Sequence, residues 1–274
     1  MKKTTTDPFH IPAKKSLGQH FLNSPIVPAW LCDAADLSPS HPVLEIGPGT
    51  GVLTQELLKR GVEVIALETD SRSITTLRER FKMELQSGQL HIYEGDVREG
   101  IPTHSLLKDH CYQIVANIPY YLTGLILRTY LESIKQPTRM TLLVQKEVAE
   151  RIVRSQKSSL VRVAVEAFGT PRYVRTVKSG HFSPVPRVDS VIIDIADITH
   201  ERVPPEKRAH FFNIVRAGFA HKRKKVANNI QTVYPNHNIS DVLSMTNIDA
   251  NARAEDIATA TWVTLATELM KKLS

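Results

Sequence analysis

The chain has 274 residues, 42% of them hydrophobic, a net charge of +7 and two cysteines, Cys32 and Cys111. That length allows one large domain or a core domain with a small appendage, and the apolar fraction is enough for a buried core. Two distant cysteines without a CxxC pair exclude a disulfide framework and a zinc ribbon, no apolar run approaches the ~18 residues of a membrane span, and the excess of Lys and Arg points to a polyanionic partner, nucleic acid first. The start, MKKTTTDPFHIPAKK, has two early lysines but no apolar signal-peptide core after them. The expectation is a cytoplasmic, monomeric, soluble protein without a bound metal.

In chain order, short apolar runs alternate with longer helical patterns. Strand candidates cover residues 43–46, 62–68, 90–93, 112–116 and 140–144. Helical stretches between and after them cover 52–59, 71–85, 125–133 and 146–155. Such alternation implies βαβ units and a parallel sheet covered on both faces. Two further β-rich runs, 172–177 and 191–195, flank the turn Ser183-Pro184-Val185-Pro186 and suit an antiparallel hairpin at a sheet edge. Val203-Pro204-Pro205 then breaks the chain, and 207–220, a basic segment 221–230 and 254–273 read as helical. The spacing predicts a Rossmann-like α/β domain over residues 1–200, with a seven-stranded, mostly parallel sheet, and a small all-helical C-terminal domain over 201–274. The boundary falls near 198–205.

The first strand runs into Glu45-Ile46-Gly47-Pro48-Gly49-Thr50-Gly51, ahead of a helix. Glycines there let the backbone turn tightly and approach a ligand closely. The spacing is GxGxG, not the dinucleotide GxGxxG, and no Lys-Ser/Thr follows as in a phosphate-gripping loop. Alone, the run is equally a plain tight turn. Glu68 ends the next strand, where an acid can accept both ribose hydroxyls of a nucleoside; alone it is a solvated acid. Asp96 follows the third strand, where a carboxylate can accept from an adenine amine; alone it is an ordinary turn residue. Three tips in series lie on the edge where open α/β sheets bind ligands. The set resembles the class I S-adenosylmethionine methyltransferase arrangement and implies S-adenosyl-L-methionine as co-substrate.

The fourth strand runs into Asn117-Ile118-Pro119-Tyr120. By composition this is a strand-ending turn, but it sits beside the cofactor strands. An exocyclic adenine amine is a poor nucleophile, because its lone pair is delocalised into the ring. Two acceptors aimed at its hydrogens, the Asn117 carbonyl oxygen and the backbone carbonyl beside Pro119, would favour the pyramidal form and free the pair. Pro119 fixes φ and offers no competing N–H. The Tyr120 ring can stack on the base, an interaction worth ~1–3 kcal/mol. Phe182 is a candidate for the base's other face, or equally a core aromatic before a turn.

These residues together resemble the rRNA adenine N(6)-methyltransferase family, in its bacterial small-subunit (16S) dimethyltransferase branch. The resemblance runs from Lys15 to about Leu265, through SLGQHFL at 16–22, LEIGPGTG at 44–51, Glu68, Gly95-Asp96, NIPY at 117–120, QKEVAER at 145–151, FSPVPRVDS at 182–190 and RAED at 253–256. It implies that His20, Leu22, Gly47, Glu68, Asp96 and Asn117 contact the cofactor, and that two adjacent adenines near the 3′ end of 16S rRNA are each methylated twice within an assembling small ribosomal subunit. His20 has no assignable role from sequence alone. Tyr121 stands where many relatives carry Asn, Ser159-Leu160-Val161-Arg162 replaces a Tyr-Gly-Arg segment, and His221-Lys222-Arg223-Lys224-Lys225 replaces a more Arg-rich run.

Positive charge gathers at Lys14-Lys15, at Lys146, Arg151, Arg154 and Lys157, and at 222–225. Three clusters in a balanced chain favour phosphate contact, which positions RNA without reading its sequence. The rival readings are a large-subunit rRNA methyltransferase of the macrolide-resistance type, opposed by QKEVAER and RAED, and a non-catalytic RNA-binding assembly factor, opposed by the intact Gly47, Glu68, Asp96 and NIPY. DNA adenine methylation is a distant third.

Overall fold

The computed structural model describes Phe9, residues 11–14 and residues 18–273. Lys15 and the first two positions of SLGQHFL, residues 16–17, lie outside the described residues. The strands are β1 (Phe21–Leu22), β2 (Val43–Ile46), β3 (Val64–Glu68), β4 (Leu90–Glu94), β5 (Gln113–Asn117), β6 (Arg139–Gln145), β7 (Thr170–Val177), β8 (Phe182–Ser183) and β9 (Ser190–Ala196). The helices are α1 (Ile26–Ala35), α2 (Val52–Lys59), α3 (Ser71–Arg80), α4 (Lys82–Ser87), α5 (Thr123–Glu132), α6 (Lys146–Val153), α7 (Leu160–Glu166), α8 (Arg208–Phe219), α9 (Val226–Val233), α10 (Ile239–Met245) and α11 (Thr259–Leu273).

All seven expected strands join one sheet, in the order β4-β3-β2-β5-β6-β9-β7. Only β9 runs antiparallel to its neighbours, β6 and β7. The chain leaves β2 for β3 and β4 on one side, then returns to β5 and β6 on the other, so the topology reverses between β2 and β5. A crevice opens at such a switch point, at the carboxyl ends of the strands. β2 and β3 read as unbroken buried runs because helices cover both faces. β7 is one of the two edges, opposite β4; it carries Pro171, which an edge strand tolerates, and a register shift between Tyr173 and Arg175.

One apolar face, with Leu44, Ile46, Ile114, Leu142 and Ile193, continues through Phe168 into Phe211, Phe212 and Trp262 of the C-terminal helices. Phe168 and Phe212 stack with centroids 5.6 Å apart. The other face, with Val43, Val64, Val115 and Ile192, packs with Val27 and Leu31 of α1 and Leu53 and Leu57 of α2. Against the expected single helix over 71–85, the chain breaks at Phe81 (φ −116°, ψ 40°) between α3 and α4. The break turns the Phe81 ring inward, where a side chain at Gly51 would overlap it.

Three helices, α1, α7 and α10, were not expected from the sequence, nor was the small antiparallel pair β1–β8, in which Leu22 faces Phe182 and Phe21 faces Ser183. That pair, with Asn23 N–H donating to the His181 carbonyl at 3.0 Å, holds the segment from Gly18 to Leu22 beside the crevice. Among the described residues, no helix is long and apolar enough to cross a membrane.

Candidate active site

A cavity opens at the carboxyl ends of β2, β3, β4 and β5. Its wall includes Gly47, Glu68, Asp96, Asn117, Pro119, Tyr120 and His20. The fold therefore brings together residues from positions 20 to 120, all but two of those expected.

The glycine turn shapes the floor. Gly47 has φ +69°, and a Cβ built on it meets nothing within 4 Å. Its bare backbone thus faces open space that a side chain would take up, the form of a cradle for a ligand. Gly49 answers a different need: a Cβ there would run into the Phe21 ring. Its N–H donates to Glu68 Oε2 at 3.0 Å.

Glu68 is 6% exposed. Its Oε1 accepts from the N–H groups of Thr69 at 2.8 Å and Asp70 at 2.9 Å. Burial raises its pKa, and the three backbone donors work against that rise. Each carboxylate oxygen has two acceptor sites; both on Oε1 are taken, so one remains, on Oε2, for a further donor such as a hydroxyl. Asp70 locks this corner. It caps α3 by accepting from Arg72 N–H at 3.2 Å, takes the Arg72 guanidinium, and accepts from Gln19 Nε2 at 3.2 Å. The Arg72 side chain chiefly holds its carboxyl well below the usual range. Asp70 was not singled out in the sequence, because its partners Gln19 and Arg72 meet it only in the fold.

Asp96 accepts from Arg98 through N–H at 2.8 Å and Nε at 2.9 Å. That side-chain contact keeps its carboxyl below the ordinary value. Arg98 itself borders the cavity, a neighbour that the strand-tip pattern does not signal.

At the reacting end, Asn117 Nδ2 donates to the His20 carbonyl at 3.3 Å. An amide so anchored turns its Oδ1, an acceptor, away from His20. The Pro119 carbonyl is taken by Leu122 N–H at 2.9 Å, which leaves the Ile118 carbonyl, on the other side of Pro119's nitrogen, as the backbone acceptor. Tyr120 is half-buried, and its hydroxyl pairs with Ser190 Oγ at 2.7 Å. Burial raises the phenol's pKa, so it stays neutral. The His20 ring packs on Tyr120 with centroids 5.7 Å apart and planes at 25°. His20 Nδ1 lies 2.7 Å from the Pro184 carbonyl, which can only accept, so Nδ1 carries the proton.

Leu22 and Phe182 are placed differently. Both are buried in the core beneath the β1–β8 pair, Leu22 at 7% exposure and Phe182 at 0%, and neither is on the cavity wall. Tyr121 is on the wall and 63% exposed, a position that the sequence marked only as a departure.

A family model described as ribosomal RNA adenine dimethylase matches residues 11–271. A ribosomal RNA small subunit methyltransferase A of Dehalococcoides mccartyi is 36% identical over 263 residues, covering 95% of this chain and 89% of the relative. One of Thermosynechococcus vestitus is 35% identical over 272 residues, covering 96% and 98%. Among solved structures, a dimethyladenosine transferase from Plasmodium falciparum superposes with a TM-score of 0.72 at 27% identity, over 92% of this chain and 98% of that one. The 23S rRNA methyltransferase ErmE superposes with a TM-score of 0.67 at 25% identity, over 91% and 99%.

Proposed function

The chain belongs to the ribosomal RNA adenine dimethylase family, and from that premise we propose that it dimethylates the exocyclic amines of two adjacent adenines near the 3′ end of small-subunit rRNA, giving N(6),N(6)-dimethyladenosines during subunit assembly. The observation that carries the reading is the Asn117 amide, anchored at Nδ2 by the His20 carbonyl so that its oxygen is left to accept from an amine.

The residues present fit S-adenosyl-L-methionine: the bare backbone at Gly47 leaves room for it, and Glu68 and Asp96 match a ribose and an adenine amine. When bound, it supplies a methyl group activated on a sulfonium. Gly47, Glu68, Asp96 and the His20 segment hold it. Asn117 Oδ1 and the Ile118 carbonyl accept the two hydrogens of the target amine and draw it toward the pyramidal form. Pro119 sets the angle of that carbonyl. Tyr120, backed by His20 and tethered to Ser190, is a rigid surface for the base. No side chain need act as a strong base, because the amine becomes acidic only as its new bond forms. Positioning and oriented dipoles supply the rate.

The helices from α8 onward are the part we assign to docking on RNA within the small subunit. Residues 221–225 are exposed throughout. Arg128, Arg151, Lys157, Arg216 and Lys222 line a groove between α5, α7 and α8 together with Glu132, which pairs with Arg216, and Glu255, and the basic side chains outnumber the acids. The likeness to ErmE raises the large-subunit alternative, but the small-subunit relatives at 33–38% identity favour the reading given. A cytoplasmic monomer completes it.

The deciding experiment supplies labelled methyl donor with unmethylated small subunits and, separately, large subunits. Label on two adjacent adenines near the small-subunit 3′ end, as dimethyladenosine, is expected. Label confined to large subunits would overturn the substrate, and no label on either would overturn the activity.

A further inference from the structure

We propose that Asp109, His110 and His200 form a binding site for a divalent transition-metal ion of the zinc class, at the amino edge of the sheet and far from the methyl-transfer cavity. There it would tie the loop before β5 to the linker that leads from β9 into α8. Nothing in the chemistry proposed above uses these three residues.

The donor atoms already converge. His110 Nε2 lies 3.0 Å from His200 Nε2. His200 Nε2 lies 2.7 Å from Asp109 Oδ2, and His110 Nε2 lies 3.7 Å from Asp109 Oδ1. Ligands at zinc's usual bond lengths in a tetrahedron stand roughly 3.3 Å apart; the His–His separation and the two carboxylate contacts, one through each oxygen, lie on either side of that value, so a small rotation of the carboxylate would bring one oxygen into place. Two imidazoles and a carboxylate are also the donor set that zinc and its neighbours take, with a fourth position left to water. The side chains are 29%, 24% and 39% exposed for His110, His200 and Asp109, so an ion can enter.

The loop is also preorganised. His110 N–H donates to the Gln136 carbonyl at 2.8 Å, and Asp109 Oδ1 accepts from Gln136 N–H at 2.9 Å. His110 holds φ at 50°, a conformation that costs energy for most residues.

One neighbour opposes the ion. The Arg208 guanidinium donates to His200 Nδ1, so without metal the proton sits on His200 Nε2. Metal at Nε2 moves that proton to Nδ1 and displaces this one Arg208 contact. Arg208 keeps the Ser133 and Val203 carbonyls as acceptors. The site is therefore weaker than a closed four-ligand zinc site, and binding in the micromolar range is expected.

The test uses full-length protein treated with a chelator and then titrated with Co²⁺ alone. A saturable visible d–d band at one ion per chain, displaced by Zn²⁺, is expected, together with a rise in melting temperature. His110→Asn, which tolerates the positive φ, and His200→Gln should each weaken binding at least tenfold. Asp109→Asn keeps an acceptor for Gln136 N–H and serves if either histidine variant fails to fold; it should also weaken binding. The chain has eleven histidines. Absence of saturable binding, or affinity unchanged in the folded variants, overturns the proposal and leaves the cluster as a hydrogen-bonded bridge only.

Discussion

The cavity mouth and the C-terminal helices handle polar groups in opposite ways. At the mouth, polar groups are held in place one by one: Glu68 by three backbone N–H groups, Asn117 by the His20 carbonyl, and Asp70 and Asp96 by the guanidinium groups of Arg72 and Arg98. In the helices, the interior is apolar around Phe211, Phe212 and Trp262, and the charges at 221–225 stay in solvent. The difference teaches that the two regions are separable by experiment. Changes at the mouth should alter binding and turnover, and changes in the helices should alter stability and docking.

Glu45 is the sharpest challenge to that division, because it lies under the mouth but acts on stability. It is 1% exposed, accepts from Thr54 Oγ1 at 2.6 Å, and burial pushes its pKa up to about 8. The fold favours its neutral form. Its contribution is therefore complete below about pH 4.5 and is lost as pH rises toward 8 and through it. By linkage the whole loss is on the order of 5 kcal/mol. Denaturant melts from pH 5 to 9 should show stability falling in the native protein and a flatter profile in Glu45→Gln. An equal slope in both would mean that Glu45 stays ionised.

Asn117→Ala tests the mouth's own rule. Removing one oriented dipole from a reacting centre typically costs 10²–10³-fold, roughly 3 kcal/mol. Single-turnover methyl transfer should fall by that factor while RNA affinity and melting temperature hold. A parallel loss of RNA binding would mean that Asn117 positions substrate and does not act on the amine.

Gly218→Ala tests the helices' rule. A Cβ at Gly218 would overlap the Trp262 ring, where α8 crosses α11. Overpacking of that kind costs about 2 kcal/mol, beyond the gain that alanine brings to a helix. Thermal melts should show the loss, with the methyl-transfer rate per folded molecule unchanged. A loss of rate in folded protein would couple the helices to the chemistry.

The sequence carried the mouth better than the helices, for physical reasons. Gly47, Glu68, Asp96 and Asn117 follow strand ends, and a parallel sheet brings strand ends together whatever the loops do. Apolar runs marked the central strands because both of their faces are covered, whereas the edge strand β7 is largely exposed and was legible only as a β-rich run. Packing between distant segments left no such local mark. The β1–β8 pair is two residues long on each side, too short for alternation, and it is this pair that buries Leu22 and Phe182. Phe81 breaks a helical pattern to meet Gly51, a contact set by tertiary fit. The backbone carbonyl of His20 could not be seen to orient Asn117, since no side-chain identity encodes it.

The smallest expected effect lies in the exposed basic run. Lys224 and Lys225 are in solvent, so each should act on RNA through counterion release alone. Lys224→Gln with Lys225→Gln should reduce the slope of log affinity against log salt by roughly 0.7–0.9 for each lysine that touches phosphate. Affinity at moderate salt should fall several-fold, and the single-turnover rate at saturating RNA should not change, because no lysine here approaches the cavity. An unchanged slope would remove this run from the RNA interface and shift docking to the groove between α5, α7 and α8. A changed rate at saturation would mean that docking through these helices helps to set the base in place, and the two regions would then act as one.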